Sequence, residues 1–204
     1  MADVEHPTDR RGGGDGRCGW CLGSELYVAY HDTEWGVPCR DERALFEMLN
    51  LEGAQAGLSW ITILGRREAY RRLFANFEPT ALVAFDETDV ERLAADPGIV
   101  RHRGKIRAVS GNARALLRLH EAGESLSATM WGFVDGRPVQ NRPRRPTDVP
   151  ASTPASTALS RELKRRGFTF VGPTIAYALM QAAGLVNDHL LDCPRHDEIA
   201  ALAG

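Results

Sequence analysis

Apolar residues recur along most of this chain at the three-to-four spacing of a helix face, and the interruptions divide it into successive helices. After Asp41, a good N-cap, Leu45, Met48, Leu49, Glu52 and Ala56 share one stripe, which predicts a helix from about 42 to 55 that loosens at Gly53 and Gly57. Ser59 is placed to cap a second helix through Ile61, Leu64, Tyr70 and Phe74, carried past Gly65 and stopped by Pro79. Thr88 and Glu91 have the spacing of a capping box ahead of Val90, Leu93 and Ala94. Asp96-Pro97-Gly98 then breaks the pattern, and Ile106, Val109, Ala113, Leu116 and Leu117 resume it, giving a helix, a tight glycine-bearing turn and a helix over 88–118. The Pro-, Arg-, Ser- and Thr-rich stretch 137–157 reads as a long surface connection. Two further helices follow, one over about 156–166 closed by Gly167, the other opened by Gly172-Pro173 and closed near Gly184. Only 168–171 carries a strand signal and no repeat is evident, so the expected class is all-α. Residues 1–16, rich in Gly, Arg and Asp, read as a flexible extension, 17–193 as one domain of two helical lobes, and 194–204 as a tail.

Composition narrows the setting. With 204 residues, 43% hydrophobic and 25% charged, the chain can bury one sizeable core. It has neither an apolar run of about 18 residues nor a secretory leader pattern, so a cytoplasmic location is expected. Four cysteines are too few for a disulfide scaffold and point to metal or redox roles. A net charge of −2 excludes a generally basic coat. Charge is nevertheless uneven: Arg101, Arg103, Lys105, Arg107, Arg114 and Arg118 follow one another with no carboxylate between them, and Arg142, Arg144, Arg145, Lys164, Arg165 and Arg166 form later groups. Such runs are either solvated helix faces or contacts to nucleic acid.

The candidate metal ligands are Cys18 and His31 near one end of the chain and the His189-x-x-x-Cys193 pair near the other. Two thiolates and two imidazoles make a closed tetrahedral set for zinc, and an ion held this way fastens chain ends that bury little area themselves. His-x-x-x-Cys also arises by chance. Cys18-Gly19-Trp20-Cys21 offers a redox alternative, but the β-α-β setting that activates such a thiol is missing.

Glu52 lies on the apolar stripe of its helix, so either the helix frays at Gly53 and releases it to water, or it is a buried acceptor with a perturbed pKa. Trp20, Tyr27, Tyr30, Trp35 and Trp60 crowd the same part of the chain, as core aromatics or as walls for a flat ligand. In the 88–118 hairpin, the Gly98 turn and the helix start behind it can grip phosphates, with Arg101, Arg103 and Lys105 adding charge; a plain αα-hairpin is the alternative.

Five blocks carry a resemblance: Arg17-Cys-Gly-Trp20, Tyr30-His-Asp-Thr-Glu-Trp-Gly-Val-Pro38, Leu51-Glu-Gly-Ala-Gln-Ala-Gly-Leu-Ser-Trp-Ile-Thr62, Gly98-Ile-Val-Arg-His-Arg-Gly-Lys-Ile106 and Gly184-Leu-Val-Asn-Asp-His189. Over residues 17–193 the chain resembles the 3-methyladenine DNA glycosylase I family of the helix-hairpin-helix superfamily. The resemblance implies a hydrolase that flips a methylated adenine out of double-stranded DNA and leaves an abasic site. It assigns Glu52 as the base-reading carboxylate, acting with Tyr30, and Trp20, Tyr30 and Trp60 as pocket aromatics, with Tyr27 and Trp35 in the wall. Leu58 is the wedge into the vacated stack. The resemblance also implies one structural zinc on Cys18, His31, His189 and Cys193, DNA-backbone contact through Gly98, Arg101, Arg103 and Lys105, and a monomeric cytoplasmic enzyme. Cys21 and Cys39 are not expected ligands, and His196 is a weaker alternative to His189. The aspartate that related glycosylases place after the hairpin is absent, since no Asp occurs between Asp96 and Asp135. A closed zinc site leaves the chemistry to Glu52, so chelation is expected to loosen the termini before it touches the reaction. A noncatalytic DNA-binding module and a thiol-disulfide oxidoreductase are the competing functional readings.

Overall fold

The computed structural model describes residues 16–202; residues 1–15, which hold nearly all of the expected extension, lie outside the described residues. Helix α2 (Glu42–Gln55) runs where the apolar stripe predicts, and Asp41 caps it by accepting the Ala44 N–H at 2.8 Å. Its Leu45, Phe46 and Leu49 are buried against α10 (Pro173–Ala182) and α7 (Arg103–Glu121), while α9 (Pro154–Arg165) packs along α10. Each such aliphatic side chain contributes roughly 1.5–3 kcal/mol on leaving water. Helices α4 (Arg67–Leu73), α5 (Pro79–Leu82) and α6 (Glu87–Ala95) extend the same core through Tyr70, Phe74, Phe77, Leu82 and Leu93. At the opposite edge, α8 (Leu126–Trp131) buries Trp131, whose indole N–H donates to the Cys39 carbonyl at 2.9 Å beneath the Arg40 guanidinium.

Several local expectations change. The helix predicted after Ser59 is two helices, α3 (Trp60–Leu64) and α4, divided at Gly65–Arg66. Arg66 reaches away to the Ile99 carbonyl at 3.1 Å, and the Ser59 hydroxyl pairs with that of Thr62 instead of capping the backbone. The capping box ahead of α6 is made by Asp86 and Asp89, not by Thr88 and Glu91. The helix starts earlier than the Thr88 pattern suggests, and Glu91 is left to face Arg103. Residues 168–171 form no strand, because Phe170 has φ +56°. The parallel bridge pairs β1 (Val139–Gln140), inside the expected surface connection, with β2 (Val186–Asn187). Helices α1 (Glu25–Thr33), α8 and α11 (Pro194–Ala201) were not predicted. The stretch after Cys193 therefore packs as structure: Ile199 is fully buried and the His196 ring bonds the Asn141 carbonyl at 2.9 Å.

Two glycines let the chain ends meet. Gly184 has φ +70°, and a Cβ there would lie 2.5 Å from Val37 and Pro38 backbone atoms; one on Gly36, φ +84°, would lie 3.0 Å from His189 Nε2. The loop after α1 thus lies directly against the loop after α10.

Candidate active site and metal centre

Ser24 caps α1, and consecutive residues of that helix serve two sites: His31 points into a Cys/His cluster and Tyr30 into a neighbouring pocket. Cys18, His31, His189 and Cys193 are all buried, with their ligand atoms within 4.8 Å of one another. His189 Nδ1 lies 3.2 Å from His31 Nε2 and 3.8 Å from each sulfur, and Cys193 Sγ lies 3.6 Å from His31 Nε2. A tetrahedron with zinc–nitrogen and zinc–sulfur bonds of about 2.0 and 2.3 Å has edges of about 3.3 Å between nitrogens and about 3.5 Å between nitrogen and sulfur, so the donor set fits such an ion. The outer nitrogens are held as ligand imidazoles require: His31 Nδ1 by Asp32 at 2.8 Å, which Arg17 clamps in turn, and His189 Nε2 by the Trp35 carbonyl at 3.1 Å.

Cys21 is outside this set. Its thiol donates to the Cys18 carbonyl at 3.0 Å, and burial pushes its pKa up to about 11. No disulfide joins the four cysteines, and Cys18 lies in the Cys/His cluster with only the short 3-10 turn Gly19–Cys21 behind it, where a redox Cys-x-x-Cys needs a helix whose N-terminus activates the first thiol. His196 turns to Asn141 and Asp197 and does not join the cluster.

The pocket is a cavity of about 320 Å³ walled by Trp20, Tyr27, Tyr30, Trp35 and Trp60, with Glu52 in its lining. All five sequence-singled aromatics meet there. Glu52 is 3% exposed and its Oε2 has no partner; Trp60 Nε1, also in the lining, has none either. Burial without a partner pushes the Glu52 carboxyl up to about 8, so in the empty pocket it holds its proton at neutral pH. Burial, reinforced by Glu52, also keeps the Tyr30 phenol well above its ordinary pKa and therefore a neutral hydroxyl.

The possibility that α2 frays at Gly53 is overturned by Lys105. Its ammonium donates to the Ala54 and Ala56 carbonyls at 2.8 and 2.6 Å, a cation placed where the helix ends in unsatisfied acceptors. Sequence reasoning missed Gln55, Gln181 and Asp188 in the lining. Asp188 accepts from Tyr177, Gln181 and Asn141, each at 2.7 Å, and its only sequence signal is its place beside His189.

The metal cluster and the pocket share a wall. Cys18 itself lines the cavity, the Trp20 ring packs edge-on against Tyr27, His31 and Trp35, and Trp35 packs edge-on against His189. Loosening of the termini before the chemistry, expected on chelation, would have to act across this shared wall: the rings that face the pocket rest on the imidazoles of the Cys/His cluster.

The hairpin forms from α6, residues 96–102 and α7, where His102 caps α7 by accepting the Lys105 N–H at 3.1 Å. The Gly98 N–H is taken by Asp96, at 2.7 Å. The unbroken basic run is deceptive, because α6 supplies its carboxylates: Arg103 forks onto Glu91 and Arg107 onto Glu87. Arg101 stays exposed at the turn, and Leu58 is 42% exposed in the turn after α2 that Gly57 permits with φ +78°. No helix among the described residues is long and apolar enough to cross a membrane.

Known proteins share this fold over most of the chain. The chain is 55% identical over 177 residues to DNA-3-methyladenine glycosylase 1 of Escherichia coli (strain K12), a match covering 87% of this chain and 95% of that one. It superposes on a crystal structure of 3-methyladenine DNA glycosylase I with a TM-score of 0.86 at 55% identity, over 87% of this chain and 98% of the other. A tyrosine-to-phenylalanine variant of 3-methyladenine DNA glycosylase I, solved in complex with 3-methyladenine, matches with a TM-score of 0.84 at 38% identity, over 88% and 96%. Residues 20–196 match the family model described as methyladenine glycosylase, and the chain belongs to that family.

Proposed function

We propose that this chain is a hydrolytic DNA glycosylase that excises 3-methyladenine from alkylated double-stranded DNA. The observation that carries the reading is Glu52, a buried carboxyl with an unpartnered oxygen inside an aromatic cavity of base size. Methylation at N3 gives adenine in DNA a positive charge and weakens its glycosidic bond. When such a base enters, its charge favours the carboxylate form of Glu52, whose proton passes to solvent, and the ion pair offsets the desolvation that the empty site bears. Neutral adenine brings no charge, so Glu52 keeps its proton beside it and no ion pair forms. Trp20, Tyr30 and Trp60 add stacking and cation–π attraction, and Tyr27 and Trp35 complete the wall. On bond breaking the electron pair stays with N9 and the base departs neutral; water adds to C1′ of the sugar cation and releases a proton to solvent. Positive charge moves from purine to sugar without changing sign, so Glu52 need not be discharged during the reaction.

Leu58 enters the space left by the flipped nucleotide, and the hairpin grips the backbone through its Gly98 turn with Arg101, Arg103 and Lys105, as in helix-hairpin-helix proteins. Arg103 and Lys105 can take up phosphate only by exchanging the partners they now hold, so Arg101 is the readiest contact. Cys18, His31, His189 and Cys193 hold one zinc, whose role is to fix the chain ends and the Trp20–Trp35 wall. Residues 17–193, with α11 packed against them, form the working unit, acting as a monomer in the cytoplasm. The test is incubation with methylated duplex DNA and identification of the released bases. Free 3-methyladenine is expected; DNA binding without base release would replace the enzyme with a binding module.

A further inference from the structure

Phe170 is unusual in three ways at once. Its backbone is left-handed, at φ +56°, a conformation that strains a non-glycine residue. It is 36% exposed although its neighbours Phe168 and Val171 are buried. A buried polar network clamps the segment that carries it: the Thr169 N–H donates to Asn112 Oδ1 at 2.8 Å, Asn112 donates to Asn50 at 2.9 Å, and the Ser160 hydroxyl donates to the Val171 carbonyl at 2.6 Å. Strain held in place by buried hydrogen bonds, with a large apolar ring left in water, is a costly way to end a loop unless the ring is used.

Its position indicates the use. A Cβ on Gly53 would lie 3.1 Å from that of Phe170, and one on Gly104 would lie 3.8 Å from the far end of its ring, which stands edge-on to His102 at 6.3 Å. Phe170 therefore occupies the corner between the end of α2, one residue from Glu52, and the first turn of α7. Lys105 ties the same corner to Ala54 and Ala56, two residues before exposed Leu58. Two exposed apolar side chains thus rise from the junction of the pocket helix and the hairpin, on separate loops.

We propose that Phe170 is a second duplex-opening residue, its ring stacking on the base uncovered when the methylated nucleotide leaves the helix, in partnership with Leu58. Aromatic side chains suit this because every base offers a π-face, so the contact is indifferent to sequence. The inference rests on the glycosylase reading above.

The experiment compares wild type with Phe170→Gly and Phe170→Trp, measuring 3-methyladenine release from methylated duplex DNA, affinity for free 3-methyladenine and thermal unfolding. Glycine relieves the strained φ, so Phe170→Gly is expected to melt no lower than wild type, to bind free base within about two-fold of it, and to lose at least about ten-fold in kcat/KM on duplex. Phe170→Trp, which restores a stacking face, is expected to recover most of that loss. Wild-type excision by Phe170→Gly would overturn the proposal. So would an equal loss of free-base affinity and excision, which would make the ring a prop for α2. If wild type itself released no 3-methyladenine, the glycosylase reading would fail, and this inference with it.

Discussion

Across the wall formed by Trp20 and Trp35, one set of polar groups is satisfied and the other is not. In the Cys/His cluster each imidazole nitrogen meets a ligand atom, a carboxylate or a carbonyl, and Cys18 Sγ accepts the Leu190 N–H. In the pocket, Glu52 Oε2 and Trp60 Nε1 have no partner. A completed buried network stabilises a fold, whereas an uncompleted one costs stability until a ligand arrives. The two lie back to back because the second needs the first: a desolvated carboxyl stays dry only while its walls cannot relax.

The comparison breaks most visibly if the cluster is disabled. Cys193→Ser, or removal of metal by chelation, is expected to lower unfolding free energy by more than about 5 kcal/mol in denaturant titrations, with loss of zinc by elemental analysis. Binding of free 3-methyladenine should fall with it, because Trp20 and Trp35 rest on His31 and His189. Intact base affinity in metal-free, folded protein would separate the two regions.

Glu52→Gln tests the other side. Unfolded, Glu52 releases its proton near 4.5; folded and without ligand it retains it to about 8. The native state therefore binds more protons between those values, and stability falls as pH rises through that window, then levels off. The penalty approaches about 5 kcal/mol. Glutamine has no proton to lose, so denaturation at pH 5 and pH 8 should show this component of the pH slope in wild type and not in the variant. The smallest effect is expected for Cys21→Ser, which keeps the hydrogen bond to the Cys18 carbonyl: about 1 kcal/mol or less, with zinc content unchanged. Loss of metal there would place Cys21 among the ligands.

What could be read in advance followed from local pattern. Helix α2 was legible because its stripe, its Asp41 cap and its length agree, and Glu52 stood out as a charge on that stripe. Spacing suggested the Cys/His cluster and the resemblance singled it out, while the five aromatics stood out by their concentration. Features set by distant contacts were not. The break at Gly65–Arg66 depends on Arg66 reaching Ile99, and the neutralisation of Arg103 and Arg107 depends on α6 lying beside α7. Helix α1 escaped notice because its inward face is His31 and Tyr30, residues that serve sites and leave no aliphatic stripe. Asp188 carried no signal of its own beyond its place in the block that ends at His189, and only the fold puts it in the pocket lining.

The central claim is that the unpartnered Glu52 carboxyl selects a cationic purine. Its most direct test is single-turnover release of 3-methyladenine from methylated duplex DNA by wild type and Glu52→Gln, with free DNA-binding affinity measured alongside. Breaking a buried charge pair costs about 3–5 kcal/mol, so a loss of at least about a hundred-fold in release, with DNA affinity nearly unchanged, is the expected result. Release by Glu52→Gln at the wild-type rate would contradict the account.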